Sequence, residues 1–169
     1  DQLMQDHGGF EHNFQSLRIV DYLEIKYAGF RGLNLTYEVR ESILKHKRPF
    51  EGPRYQDYHP DEGPLLEAQL VDLADGIAYN SHDLDDGLRS GILDPAGLEQ
   101  VDLWRQVKDD VLRRFPGLTG RTLVQKIVPG VIDFLVKDLV RQTAKNLHAA
   151  GIQSVADVRR QARPIVAFS

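Results

Sequence analysis

The sequence contains no cysteine, no excess of positive charge and no long apolar run. The absence of cysteine excludes disulfide frameworks, thiolate chemistry and zinc ribbons; it fits a reducing cytosol, and we expect a cytoplasmic protein. The most apolar stretch, 127–135, is interrupted by Asp133 and is far shorter than the ~18 residues of a membrane-spanning helix. A net charge of −4 argues against broad binding to phosphate backbones, which leaves nucleic acid a regulatory partner at most.

The composition that remains is typical of a folded domain. Of the 169 residues, 41% are apolar and 27% are charged, which is enough apolar material for a core in a domain of about 100–200 residues. Residue 1 is Asp, and the apolar run 164–168 has no polar tail behind it. We therefore expect the chain to be an internal piece of a longer protein.

Apolar residues recur at three- and four-residue steps along most of the chain, which is the helical period. No alternating strand pattern and no internal repeat is found, so the sequence predicts an all-α fold. Residues 47–63 are rich in proline and glycine and predict a long lid or binding loop. The predicted helices cover 10–28, 35–46, 64–89, 95–114 and 119–149, followed by a short capped helix at 154–157.

The helix predicted after residue 64 separates apolar from polar side chains when it is plotted at 100° per residue. Leu70, Leu73 and Ile77 lie on one side and are expected to pack inward. A solvated face would be the simple interpretation of the other side, but like charges one turn apart destabilise a helix. Carboxylates without counter-charge attract a divalent cation, so we consider a site here as well. This polar side consists of Asp72, Asp75, Tyr79, His82, Asp83 and Asp86.

Three segments carry a resemblance to a known family. Residues 67–87, EAQLVDLADGIAYNSHDLDDG, resemble the hallmark helix of the deoxyguanosine triphosphate triphosphohydrolases, in the HD-domain metal-dependent phosphohydrolase superfamily. Residues 7–20 (HGGFEHNFQSLRIV) and 33–46 (LNLTYEVRESILKH) are similar to segments of that family in the same order. The resemblance implies an HD-domain-like helical bundle, incomplete at its N-terminal side. Residues 1–169 would form part of one domain, with 1–91 as the active-site half, 64–91 as its signature helix and 92–169 as a helical continuation.

The resemblance also implies roles for individual residues. Asp75 matches the last metal ligand, Tyr79 and Asp83 match the pair that holds the deoxyribose 3′-hydroxyl, and His12 matches a catalytic histidine of some relatives. The family's His-Asp dipeptide precedes the hallmark helix, whereas the dipeptide here, at His82, follows Asp75. We therefore expect the other metal ligands in an N-terminal segment before residue 1, and we expect the fragment alone to be inactive.

The activity that the resemblance implies is metal-dependent hydrolysis of dGTP or another dNTP to a deoxynucleoside and inorganic triphosphate. The cofactor would be a divalent metal ion, Mg²⁺, Mn²⁺ or another transition metal, and we expect a homo-oligomer. A basic cluster at the end of the second helix and in the following loop is a candidate for binding the triphosphate. Cations that only stabilise a helix C-terminus explain it equally well. The cluster contains Arg40 and Lys45, our two substrate-binding candidates, and also His46, Lys47, Arg48 and Arg54.

Two other functions are compatible with the same pattern. A non-catalytic regulatory or interaction domain on the HD scaffold would show the same core periodicity. A different HD phosphohydrolase, acting on monophosphates or cyclic nucleotides, is the other alternative. The Tyr79 and Asp83 pair argues against the latter by resemblance alone.

Overall fold

A computed structural model describes residues 2–46 and 53–169. Within these ranges helices are the main regular elements, and β-structure is limited to two isolated bridges, Ile25 with Gly32 and Tyr27 with Phe30. The all-α prediction is confirmed. The helices are α1 His12–Arg18, α2 Tyr37–Leu44, α3 Leu66–Ser90, α4 Pro95–Leu98, α5 Asp102–Arg114, α6 Gly120–Ala149 and α7 Val155–Arg159, with 3₁₀ segments at Gln2–His7 and Pro53–Tyr58 and a π-helical turn at Ile19–Leu23.

The first predicted helix ends earlier than expected. α1 continues through the π-helical turn to Leu23, and Glu24 then takes extended backbone, so the prediction of helix to residue 28 is wrong. After Leu23 the chain folds back, and its backbone forms hydrogen bonds with the residues it has just passed. The N–H of Gly32 donates to Glu24 O (2.8 Å), and the N–H of Leu33 donates to Val20 O (2.7 Å). This reversal satisfies the backbone without further helical turns.

Gly32 is required where the chain folds back. Its φ is +75°, and an added Cβ would lie 2.1 Å from the carbonyl oxygen of Asp21. A side chain is therefore excluded both by the left-handed backbone and by the contact.

The later helices follow the prediction more closely. α3 and α6 match the predicted segments, and α6 is continuous although Pro129 lies inside it. The segment 95–114 is divided into α4 and α5, because Val101 adopts extended backbone between them. The predicted cap of α7 is confirmed, since Ser154 Oγ accepts a hydrogen bond from Asp157 N–H (3.3 Å). The loop predicted over 47–63 lies partly outside the described residues, because residues 47–52 are not among them.

Contacts divide the chain into two compact units. Unit 1 comprises residues 1–72 and 152–165, and unit 2 comprises residues 73–151 and 166–169. The core of unit 1 is built on Leu17, Leu44 and Tyr58. The core of unit 2 lies between α5 and α6 and consists of Trp104, Val107, Val111, Ile127 and Val131. The prediction that 1–169 is part of one domain stays a prediction.

No helix within the described ranges has the length and apolar character needed to cross a membrane.

Candidate functional site

Unit 1 contains a cavity of about 550 Å³ whose wall includes His12, one of the predicted site residues. α1, α2 and the first turns of α3 supply the wall. Apolar side chains alternate there with hydroxyl, imidazole and carboxylate groups. The residues are His12, Asn13, Ser16, Val39, Ser42, Ile43, His46, Glu67, Ala68, Val71 and Asp72.

Asn13 fixes α1 against the C-terminal end of α2. Its side chain is buried, and Nδ2 donates to the carbonyl oxygens of Leu44 and His46, both at 3.0 Å. These carbonyls lie at the end of a helix, where no intrahelical donor is available to them. Asn13 thereby links the start of α1, where His12 lies, to the backbone at His46.

His46 is oriented by Asp72, because its Nδ1 is hydrogen-bonded to Asp72 Oδ1. The two side chains are 30% and 26% exposed. A carboxylate at one ring nitrogen fixes the orientation of an imidazole. Both residues line the cavity, so a held imidazole and its carboxylate partner are available to a bound molecule.

His12 is more accessible than His46. Its side chain is 48% exposed, and Nδ1 lies 3.3 Å from Glu11 Oε1. The Glu11 carboxylate also accepts hydrogen bonds from the N–H groups of Asn13 and Phe14 and so caps α1. The cap places His12 at the first position of the helix, with its ring in the cavity wall.

Asp75, Tyr79 and Asp83 follow one another on α3 at intervals of four residues, in the part of the helix that belongs to unit 2. All three are exposed, Tyr79 to 66%. The i, i+4 and i+8 spacing aligns them along the helix. The roles that the resemblance implies for them, in binding a metal and the sugar, stay predictions.

The apolar side of α3 differs in part from the prediction. Ile77 is buried as expected, but Leu70 is 45% exposed, and its predicted inward packing is wrong. At the start of the helix the buried residues are Ala68 and Gln69. Gln69 donates to Pro64 O (2.9 Å) and accepts from the N–H of Ile165 (2.8 Å). One continuous buried face was assumed, whereas the two ends of α3 pack in different units.

Arg40 and Lys45, the substrate-binding candidates, are both engaged within unit 1. Arg40 donates from Nε and Nη2 to the Asp21 carboxylate, and this hydrogen bonding raises the pKa of Arg40. The buried Lys45 ammonium contacts Glu41 Oε1 (2.8 Å) and donates to the carbonyl oxygens of His59 (2.9 Å) and Glu62 (2.8 Å). Their substrate role stays a prediction, and for Lys45 it would require exchange of these bonds. Lys47 and Arg48 lie outside the described residues.

Glu41 is the centre of a buried ion network. Arg159 donates to both oxygens of its carboxylate, at 2.8 and 2.6 Å. Burial opposes the charge on Glu41, but the hydrogen bonds from Arg159 and Lys45 outweigh it and lower the pKa of Glu41. The same pairing raises the pKa of Arg159. The network links α2 to α7 and fixes the end of α2 from which His46 extends.

The residues that the structure describes do not make up a metal centre by themselves. Among residues 2–46 and 53–169 no three His, Asp or Glu side chains are placed together to hold a metal ion. A single carboxylate such as Asp75 is a weak ligand set for a divalent cation. The geometry therefore assigns no reaction step to a metal held by these residues.

Sequence reasoning did not find the pairing of His46 with Asp72 or the role of Asn13. Asp72 appeared on the polar side of the helix, and His46 appeared in the basic cluster, but 26 positions separate them. No local pattern connects two such residues. The family segments 7–20 and 33–46 were the one signal, since they contain Asn13 and His46.

By its fold the chain is an all-α protein with a histidine-lined cavity in unit 1 and an acidic helix, α3, whose residues are divided between the two units. Over nearly its whole length it is similar to bacterial proteins named deoxyguanosinetriphosphate triphosphohydrolase-like protein, which confirms the family resemblance seen in the sequence. It is 45% identical over 170 residues to the protein of Geobacter sulfurreducens, covering 99% of this chain and 44% of that protein. It is 47% identical over 173 residues to that of Thiobacillus denitrificans, covering 98% and 45%.

A third relative, from Parvibaculum lavamentivorans, bears the same name and is 41% identical over 186 residues, covering 100% of this chain and 46% of the relative. The chain thus spans less than half the length of the relatives it matches. No protein-family model matches it.

Proposed function

We propose that this chain is part of a dNTP triphosphohydrolase, an enzyme that cleaves a dNTP into the deoxynucleoside and inorganic triphosphate. The observation that carries the proposal is the similarity of nearly all 169 residues to proteins named deoxyguanosinetriphosphate triphosphohydrolase-like. That similarity includes α3, on which Asp75, Tyr79 and Asp83 are aligned.

Asp83 and Tyr79 bind the sugar in this proposal. The carboxylate of Asp83 accepts a hydrogen bond from the deoxyribose 3′-hydroxyl, and the phenol of Tyr79 can donate to the same oxygen. A hydrogen bond to a charged acceptor is the stronger of the two, so Asp83 contributes most to holding the sugar.

Asp75 is proposed as one ligand of a divalent metal ion, with the remaining ligands in a part of the protein outside these 169 residues. Such an ion, when bound, activates water and polarises a phosphoryl oxygen. The identity of the metal follows from the complete ligand set and is not fixed by one carboxylate.

His12 is proposed to act at the scissile phosphate. It is accessible in the wall of the unit 1 cavity, and an imidazole there can transfer a proton or bind a phosphate oxygen. The Asp72 and His46 pair adds a second imidazole to the wall, held in one orientation by its carboxylate.

The test compares Asp83→Ala and Asp75→Ala in the full-length protein by measuring metal content and dNTP hydrolysis. Asp83→Ala should keep the metal and lower kcat/KM about ten- to a hundredfold, because a hydrogen bond to a charged acceptor is lost. The variant should also discriminate less between a dNTP and its analogue that lacks the 3′-hydroxyl. Asp75→Ala should lose metal and turnover together, and added metal should restore little.

Asp109→Ala is the matched control, because Asp109 is an exposed carboxylate on a different helix, α5. It should leave metal content and hydrolysis unchanged. If Asp83→Ala lost the metal while Asp75→Ala kept it, the two roles would be reversed. A wild-type protein that hydrolyses only monophosphates or cyclic nucleotides would point to another HD phosphohydrolase. Metal-supplemented protein that hydrolyses none of these would point to a non-catalytic scaffold.

A further inference from the structure

Two imidazoles of the unit 1 cavity, those of His12 and His46, each turn one ring nitrogen to a carboxylate. Nδ1 of His46 is hydrogen-bonded to Asp72 Oδ1, and Nδ1 of His12 lies 3.3 Å from Glu11 Oε1. Within the described ranges neither Nε2 atom has a hydrogen-bond partner. The Nε2 atoms are therefore the ring nitrogens that remain for a bound molecule.

The segments that carry the two imidazoles are joined by a hydrogen bond. Asn13, next to His12 in the chain, donates from Nδ2 to the carbonyl oxygen of His46 at 3.0 Å. Both rings lie in the wall of one cavity of about 550 Å³, a volume typical of small-molecule sites. One molecule in this cavity can therefore contact both rings.

Protonated imidazoles are the positive charges that the described lining of this cavity can offer. Among the described residues no lysine or arginine lines it, whereas Glu67 and Asp72 do. Two carboxylates repel an anion, so an anion binds here when the rings are protonated. The titratable groups around the ring of His46 are Asp72 and Glu67 from α3 and His12 from α1, with Glu11 beside His12.

The triphosphate is the part of a dNTP that suits these rings. In the proposed function His12 acts at the scissile phosphate, and the sugar is bound by residues of unit 2. Of the basic residues considered for the triphosphate, Arg40 is bonded to Asp21 and Lys45 is buried against Glu41. His46 lines the cavity together with His12, which places it beside the phosphates that adjoin the scissile one.

We propose that His46 contacts the triphosphate of the substrate and that Asp72 is the positioning residue for its ring. This inference rests on the proposed triphosphohydrolase function. In the protonated ring Nδ1–H donates to Asp72 and Nε2–H donates to a phosphate oxygen. In the neutral ring the bond to Asp72 keeps the proton on Nδ1, and Nε2 has only a lone pair, which repels the anion. The contact is therefore present at low pH and is lost as the ring loses its proton.

The first experiment titrates the full-length protein with inorganic triphosphate by calorimetry at about pH 6 and about pH 8.5. His46→Ala should weaken binding about ten- to a hundredfold at the lower pH, because a hydrogen bond to a charged group is lost. At the higher pH the ratio of the two Kd values should approach one. His148→Ala removes an exposed histidine on α6 and should bind triphosphate as the wild type does.

His46→Gln is the conservative variant, because its amide N–H donates at any pH. It should bind triphosphate more tightly than His46→Ala at both pH values. With a dNTP, His46→Ala should raise KM at about pH 6 and leave kcat unchanged, as expected for a contact made equally in the ground state and the transition state.

NMR of the full-length protein with ¹⁵N-labelled histidine tests the role of Asp72. The His46 signals are those missing from His46→Ala, and at about pH 8.5 they should show the proton on Nδ1. In Asp72→Ala the proton should move to Nε2, the nitrogen that an imidazole without such a partner prefers. Asp72→Ala should also weaken triphosphate binding at about pH 6, but not when His46 is already alanine, because Asp72 acts through that ring.

Three results would overturn the inference. They are equal triphosphate binding by the wild type and His46→Ala at about pH 6, a Kd ratio that stays the same at both pH values, and a His46 ring with its proton on Nε2 in the wild type. A full-length protein that binds triphosphate as expected but hydrolyses no dNTP would instead refute the proposed function.

Discussion

Arg159 forms ion pairs with two carboxylates of unit 1. It contacts both oxygens of the Glu41 carboxylate and also Glu62 Oε2 (2.9 Å). Glu41 is only 1% exposed. A carboxylate this deeply buried is tolerated only when cations and hydrogen bonds compensate for its lost hydration. The stability of unit 1 should therefore be sensitive to Arg159.

Arg159→Gln should lower the free energy of unfolding by roughly 3 kcal/mol, because it leaves a buried carboxylate short of one cation. The measurement is urea unfolding followed by circular dichroism. Arg163→Gln, an exposed arginine four positions further on, is the control and should cost little. Equal losses of unfolding free energy in Arg159→Gln and Arg163→Gln would contradict a stabilising role for the Arg159 and Glu41 pair.

The same network predicts how stability depends on pH. The pKa of Glu41 is lowered in the folded chain from an ordinary value of 4.5. Its contribution is therefore complete above that ordinary value and is lost as the pH falls through the lower pKa of the folded state. The stability difference between wild type and Glu41→Gln should narrow on acidification from about pH 6 to about pH 3.

Glu38→Gln, on the same helix and exposed, controls for the general effect of removing one negative charge. A difference between wild type and Glu41→Gln that stayed constant over this pH range, or widened on acidification, would be inconsistent with a lowered Glu41 pKa. No signal in the sequence predicted this network, because 118 positions separate Glu41 from Arg159.

Helices α5 and α6 pack closely against each other at Gly130. An added Cβ there would lie 2.6 Å from Val107 Cγ1. The close packing of the two helices therefore requires glycine at position 130.

Gly130→Ala should destabilise unit 2 by about 1–3 kcal/mol, the usual cost of overpacking a core. Val107→Ala should relieve the contact, so the double variant should lose less stability than the two single losses combined. Gly76→Ala is the control, since an added Cβ there meets nothing within 4 Å, and it should gain roughly 0.5–1 kcal/mol. Strict additivity of the Gly130 and Val107 losses in urea unfolding would refute the contact.

At the scale of the whole molecule, α3 is shared by the two units, with residues 66–72 in unit 1 and 73–90 in unit 2. The proposed ligand and sugar-binding residues lie in its second part, and Asp72 lies in its first. One helix thus bears both the residues proposed to bind the metal and the sugar and Asp72, the partner of His46 in the cavity wall. It also bears the family resemblance that carries the proposed function.

The 169-residue chain by itself should hydrolyse no dNTP, because its described residues do not bring three metal-binding side chains together. The measurement is inorganic triphosphate release by the isolated chain and by the full-length protein at equal concentration. Circular dichroism of the isolated chain should show a helical spectrum, which separates inactivity from unfolding. Triphosphate release by the isolated chain at the full-length rate would disprove the expectation that further ligands are needed.

The sequence by itself determined the helical class, the extent of α3 and α6, the cap of α7 and the resemblance to a family, because these depend on local periodicity, short-range capping and matched segments. Tertiary structure decided the rest. It ended the first helix at Leu23, exposed Leu70, paired His46 with Asp72 and buried Lys45 against Glu41. Each of these depends on groups brought together from distant positions, and the burial and hydrogen bonding available there outweigh the preference of the local sequence.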